Sequence, residues 1–174
     1  MNTPNKLTVL RMILVPVFMV VYMVERIPFH TAISAFLFIF ASVTDWLDGY
    51  LARKNNLVTN FGKFMDPLAD KLLVTGALLC LMERDVVTFW AVMIIIAREF
   101  IVTGLRLVAV TKGIVIAAGQ LGKLKTVMQL IAISVAILGL PKIVIDILIY
   151  ISVFLTALSG ADYLIQNRKV LLDE

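Results

Sequence analysis

Six apolar runs, each near the ~20 residues a helix needs to cross a bilayer's hydrocarbon core, fill most of this 174-residue chain. They are roughly Leu7–Val24, Thr31–Ala52, Phe64–Met82, Val86–Val110, Gly119–Leu140 and Ile143–Leu164. The breaks between them include short polar elements at Glu25–His30, Glu83–Asp85 and Pro141–Lys142. In lipid a backbone must satisfy its own hydrogen bonds, which favours helices, and no alternating strand pattern competes. With 61% hydrophobic residues and a mean hydropathy of +0.99, the expected class is all-α integral membrane, one embedded domain spanning residues 1–174.

Other features narrow that class. The single cysteine, Cys80, rules out an intramolecular disulfide and reads as a packing residue. Lys6 and Arg11 precede an apolar run, as in a signal peptide, but no small-x-small cleavage site follows Val24. A retained helix is expected there, with Asn5, Thr8 and Arg11 forming an N-terminal interfacial segment. The net charge of +4 is dispersed between apolar runs and does not read as a nucleic-acid surface.

Those cations set an orientation. Of the 16 Lys and Arg residues, Arg26, Arg84 and Lys142 fall on one side, and the remaining thirteen lie toward the other. The positive-inside rule then places both termini in the cytoplasm. On that topology Asp45 lies about 21 Å along the second segment, at 1.5 Å per residue, close to the cytoplasmic edge of the core.

Asp45, Asp48, Asp66 and Asp70 all fall within 26 residues. Each ionised carboxylate in lipid costs roughly 2.5–3.5 kcal/mol at a helix centre, so four together require compensating positive charge. Residues three or four apart share a helix face, so each pair makes a carboxylate edge, and both edges arrive near the inner face. Hard oxygen ligands suit Mg²⁺ or Mn²⁺, which commonly bind substrate phosphates as well. Two such ions balance four carboxylates. Gly49, Ala52 and Gly62 flank the acids at one-turn spacing and leave room for a ligand, or for close helix packing.

The stretch D-x2-D-G-x2-A-R-x8-G-x3-D-x3-D, formed by Asp45, Asp48, Gly49, Ala52, Arg53, Gly62, Asp66 and Asp70, resembles the signature of the CDP-alcohol phosphotransferase family of membrane enzymes. The resemblance implies that family's six-transmembrane-helix fold and covers most of the chain. N-K-L-T-V-L-R at Asn5–Arg11, A-R-E-F-I-V-T-G-L-R at Ala97–Arg106 and G-K-L-K-T at Gly122–Thr126 are similar to the branch whose acceptor is sn-glycerol 3-phosphate. It therefore implies transfer of a phosphatidyl group from CDP-diacylglycerol to that acceptor, yielding phosphatidylglycerophosphate and CMP. A homodimer in the cell membrane, with the active site facing the cytoplasm, is implied as well.

The same resemblance implies residue roles. Asp45, Asp48 and Asp66 would hold two divalent cations, with Asp70 beside the second and acting as general base on the acceptor hydroxyl. Asp48, Gly49, Ala52 and Arg53 would meet the CDP moiety. Arg98 and Arg106, eight residues apart and so within about 80° on one helix, would bind the acceptor phosphate with Lys123, since guanidinium forks suit phosphate oxygens. Competing readings are another acceptor within the family (inositol phosphate, serine or phosphatidylglycerol) and, from other classes, a divalent-cation transporter or an intramembrane prenyltransferase. A transporter requires neither Gly49, Ala52 and Arg53 at these spacings nor a cationic cluster. Prenyltransferases carry two widely separated acidic motifs.

Overall fold

Each apolar run forms one helix. The computed structural model describes residues 3–54, 60–114, 116, 117 and 119–168, without the side chains of 3–6, 45–54, 60–64, 66 and 67. Its helices are α1 (Thr3–Met23), α2 (His30–Lys54), α3 (Asn60–Glu83), α4 (Phe89–Thr111), α5 (Gln120–Ile137) and α6 (Lys142–Gln166). Their bounds lie within about one turn of the apolar runs, and no strand occurs among the described residues.

Three helices stop in the same way. At Gly113 (φ 72°) and Gly139 (φ 69°) the chain enters the left-handed region, where glycine carries no Cβ penalty. The amide three residues past the helix then bonds back five residues, Ile114 to Ala109 at 2.9 Å and Leu140 to Val135 at 3.5 Å. Asp85 (φ 56°) does this for α3, with Val86 bonding to Leu81 at 2.9 Å. Orphan carbonyls are thus satisfied and the turns stay short.

Two compact units emerge. The first comprises residues 1–86 and 133–140, the second residues 87–132 and 141–174. In the first, α1 packs on α2 and α3. Phe18 stands 5.9 Å, ring to ring, from Phe38 and 6.1 Å from Tyr22. Gly76 lets α3 approach α1 closely: a Cβ there would lie 3.1 Å from Met19 Sδ and 3.4 Å from Val15 Cγ1. At the end of α3, Arg84 closes the α1–α2 turn, pairing with Glu25 at 3.3 Å, donating to the Met23 carbonyl and covering the Tyr22 ring. Cys80 is buried as a packing residue and is not in a disulfide.

In the second unit α4 packs on α6, with Val102, Leu105, Ala109 and Tyr163 as a buried cluster. Among the described residues, α5 and α6 are long and apolar enough to cross a membrane by length and composition. α4 carries Arg98, Glu99 and Arg106 within an otherwise apolar helix whose Phe100, Ile101, Leu107 and Val108 are exposed.

The N-terminal segment differs from the interfacial helix expected. α1 is continuous from Thr3, and Thr8 and Arg11 are both fully buried in the first unit. In so apolar a helix the polar stripe turns inward, because the protein interior is where its partners are.

Candidate functional site

The two acidic pairs lie in the first unit, Asp45 and Asp48 near the C-terminal end of α2 and Asp66 and Asp70 in the N-terminal half of α3. Asp70 is half-buried and engaged with a partner. The side chains of Asp45, Asp48 and Asp66 lie outside the described residues, as do those of Gly49, Ala52, Arg53 and Gly62. The donor set is all carboxylate oxygen in an apolar unit, a chemistry that fits hard divalent cations.

The cationic residues lie in the second unit. Arg98 sits on α4 with its stem against α6: a Cβ built on Gly160 would come within 3.0 Å of Arg98 Cγ. Its Nη2 lies beside the first turn of α5, 3.6 Å from where a Cβ of Gly122 would be. The glycine at 160 lets the Arg98 stem pass close to α6, while a Cβ at 122 would make only ordinary contact with the guanidinium. Arg98 Nη1 donates to Glu99 Oε1 at 3.2 Å, while Nε is buried without a hydrogen-bond partner among the described residues.

Glu99 also accepts from Lys125 Nζ, and Lys125 is 3% exposed. One carboxylate therefore faces two cations beside the α5 N-terminus, whose free amides favour anions. Lys123, the lysine expected at the phosphate, is exposed in that same first turn. Arg106, two turns along α4 from Arg98, donates from Nε to the Tyr163 hydroxyl at 2.9 Å and lies 5.4 Å from the centroid of its ring.

The arrangement suits a phosphate-bearing ligand: fixed guanidinium groups, a helix N-terminus and a paired lysine. Glu99 is the carboxylate whose pairing with Arg98 the sequence leaves open, and the two are paired; Lys125, Gly160 and Tyr163 do not stand out in the sequence as parts of the cluster. The signal for Glu99 and Lys125 was available in A-R-E-F and G-K-L-K-T, where a carboxylate adjoins the deep arginine and a second lysine follows the first. Tyr163 reads from sequence only as packing or an interfacial anchor.

The family model for CDP-alcohol phosphatidyltransferase matches residues 1–158. The chain is 48% identical over 187 residues to a Bacillus subtilis protein, covering 98% of this chain and 97% of that relative. A Rickettsia typhi protein is 40% identical over 93% of this chain and 94% of its own length. One from Haemophilus influenzae is 39% identical over 99% and 96% respectively. All three bear the name CDP-diacylglycerol–glycerol-3-phosphate 3-phosphatidyltransferase.

Proposed function

The chain belongs to the CDP-alcohol phosphatidyltransferase family, and from this we propose that it transfers the phosphatidyl group of CDP-diacylglycerol to sn-glycerol 3-phosphate. The products are phosphatidylglycerophosphate and CMP. Near full-length identity to proteins named for that reaction carries the reading. The clustered cations of the second unit support it, because an uncharged acceptor would give Arg98 and Arg106 no anion to bind.

In this reaction the acceptor hydroxyl oxygen forms a bond to the phosphatidyl phosphorus. The phosphoanhydride bond to CMP breaks, and the hydroxyl proton passes to a base. Asp70 is the residue we assign as that base. Asp45, Asp48 and Asp66, with Asp70, are the ligands we assign to two divalent cations, Mg²⁺ or Mn²⁺. Such ions, when bound, polarise the diphosphate and stabilise the leaving CMP. Asp48, Gly49, Ala52 and Arg53 receive the CDP moiety, the small residues admitting the nucleotide close to the backbone. Arg98, Arg106 and Lys123 bind the acceptor phosphate, with Glu99 and Lys125 fixing the position of Arg98. Orientation and electrostatics account for most of the rate in such transfers.

The lipid substrate and the apolar helices make this a membrane protein's task. Six spans, cytoplasmic termini, a cytoplasmic-facing active site, a single catalytic domain and a homodimer complete the proposal. The test is acceptor dependence. Purified protein given CDP-diacylglycerol and Mg²⁺ should release CMP with glycerol 3-phosphate and not with serine, inositol phosphate or phosphatidylglycerol. Equal release with serine would overturn the acceptor assignment.

A further inference from the structure

Among the described residues of the first unit, Arg11 is the fully buried cation, and the helix register sets it level with the aspartates. α1 and α2 are antiparallel, in contact at Phe18 and Phe38. Seven residues back from Phe18 is Arg11, and seven residues on from Phe38 is Asp45. α1 and α3 run parallel, Gly76 lying between Val15 and Met19 while Arg84, further along, covers Tyr22. Six residues before the midpoint of Val15 and Met19 is Arg11, and six before Gly76 is Asp70. At the common rise of 1.5 Å per residue, positions 11, 45 and 70 share one level.

The same register carries one turn further. Thr8, also fully buried, falls level with Asp48 and within a residue of Asp66. Helical side chains lean toward their own N-terminus, so an arginine at position 11 reaches from the level of Asp45 and Asp70 toward that of Asp48 and Asp66. A guanidinium buried in an apolar bundle persists only beside compensating charge, and neither Arg11 nor Asp70 is without a partner.

We infer that Arg11 is a built-in counter-cation of the acidic cluster, a positioning residue that holds the carboxylates together before divalent ions bind. The inference rests on the reading of the four aspartates as cation ligands. Its physical consequence has a definite sign. A fixed positive charge at that level opposes cation binding, so removing it strengthens the site's hold on Mg²⁺ or Mn²⁺ even as geometry and turnover suffer. A residue that merely packs would change stability without changing the cation dependence.

The experiment uses the full chain in lipid nanodiscs, with Mn²⁺ titrated against thermal unfolding and against CMP release. In Arg11→Gln the half-saturating Mn²⁺ concentration should fall by at least about tenfold, since a unit charge ~6 Å from a divalent ion is worth that much even with water-like screening. Melting without Mn²⁺ should be earlier than in the wild type, and the Mn²⁺-induced rise larger. Arg11→Lys should restore the wild-type Mn²⁺ dependence. If Arg11→Gln folds only when Mn²⁺ is present, that too is the expected behaviour. An unchanged or raised half-saturating concentration in Arg11→Gln, beside a responsive wild type, overturns the role of Arg11. A wild type indifferent to Mn²⁺ overturns instead the reading of the aspartates on which it depends.

Discussion

Arg98 crosses Gly160 so closely that a Cβ at residue 160 would stand 3.0 Å from Arg98 Cγ. The obstructed atom is near the backbone of α4, not at the mobile end of the side chain, so the guanidinium cannot swing aside without leaving the α5 N-terminus. Gly160→Ala should therefore raise the KM for glycerol 3-phosphate about tenfold, in keeping with overpacking costs of ~1–3 kcal/mol. Gly104 on α4 has no neighbour within 4 Å of a built Cβ. Gly104→Ala is the control and should leave that KM unchanged while gaining about 0.5–1 kcal/mol of helix stability. Equal effects from the two variants would remove Gly160 from the site.

Glu99 answers both Arg98 and Lys125. In Glu99→Gln the buried lysine loses the counter-charge of Glu99, and removing one partner of a buried pair costs about 3–5 kcal/mol. The melting temperature should drop, and inorganic phosphate or glycerol 3-phosphate should recover more of it than in the wild type, because an anion now supplies the missing charge. A phosphate-induced shift no larger than in the wild type would separate this pair from anion binding.

Tyr163 gives Arg106 both a hydroxyl acceptor and a ring face. Tyr163→Phe removes the first, worth about 0.5–1.5 kcal/mol, so the KM for glycerol 3-phosphate should rise by up to about tenfold with little change in kcat. Tyr163→Leu also removes the cation–π contact and should raise it further. A fall confined to kcat would assign Arg106 a different task.

How much of this was legible in the sequence varies with what each residue's neighbours demand. The six helices follow from apolar length and short polar breaks such as Glu83–Asp85, whereas the left-handed turns at Gly113 and Gly139 emerge only in the structure. Arg98 was legible because a cation so deep in an apolar run needs a reason. Lys123 was the lysine expected at the phosphate, whereas Lys125, two residues on and facing nearly the opposite way, gives no sign in G-K-L-K-T that it meets Glu99. The polar stripe of Thr8 and Arg11 was legible as a stripe but not in direction, since an interfacial helix and an inward-facing one share that spacing. Tyr163 shows its role only once α4 and α6 are packed.

Asp70, the assigned base, lies in the described part of α3 and is half-buried. Asp70→Asn keeps the size of the side chain but exchanges one acceptor oxygen for an NH2 donor and cannot accept the hydroxyl proton. Transfer should fall by about 10²–10⁴, the range for loss of a general base, while binding of CDP-diacylglycerol is largely kept. Wild-type turnover in this variant would contradict the base assignment.

The most direct measurement is the product itself. Purified protein in nanodiscs, supplied with CDP-diacylglycerol, Mg²⁺ and isotope-labelled glycerol 3-phosphate, is assayed for CMP and for label in the lipid phase, with the lipid identified by mass spectrometry. The prediction is one phosphatidylglycerophosphate per CMP and neither product after chelation of divalent ions. CMP release without labelled lipid, or label transfer undiminished by chelation, would contradict it.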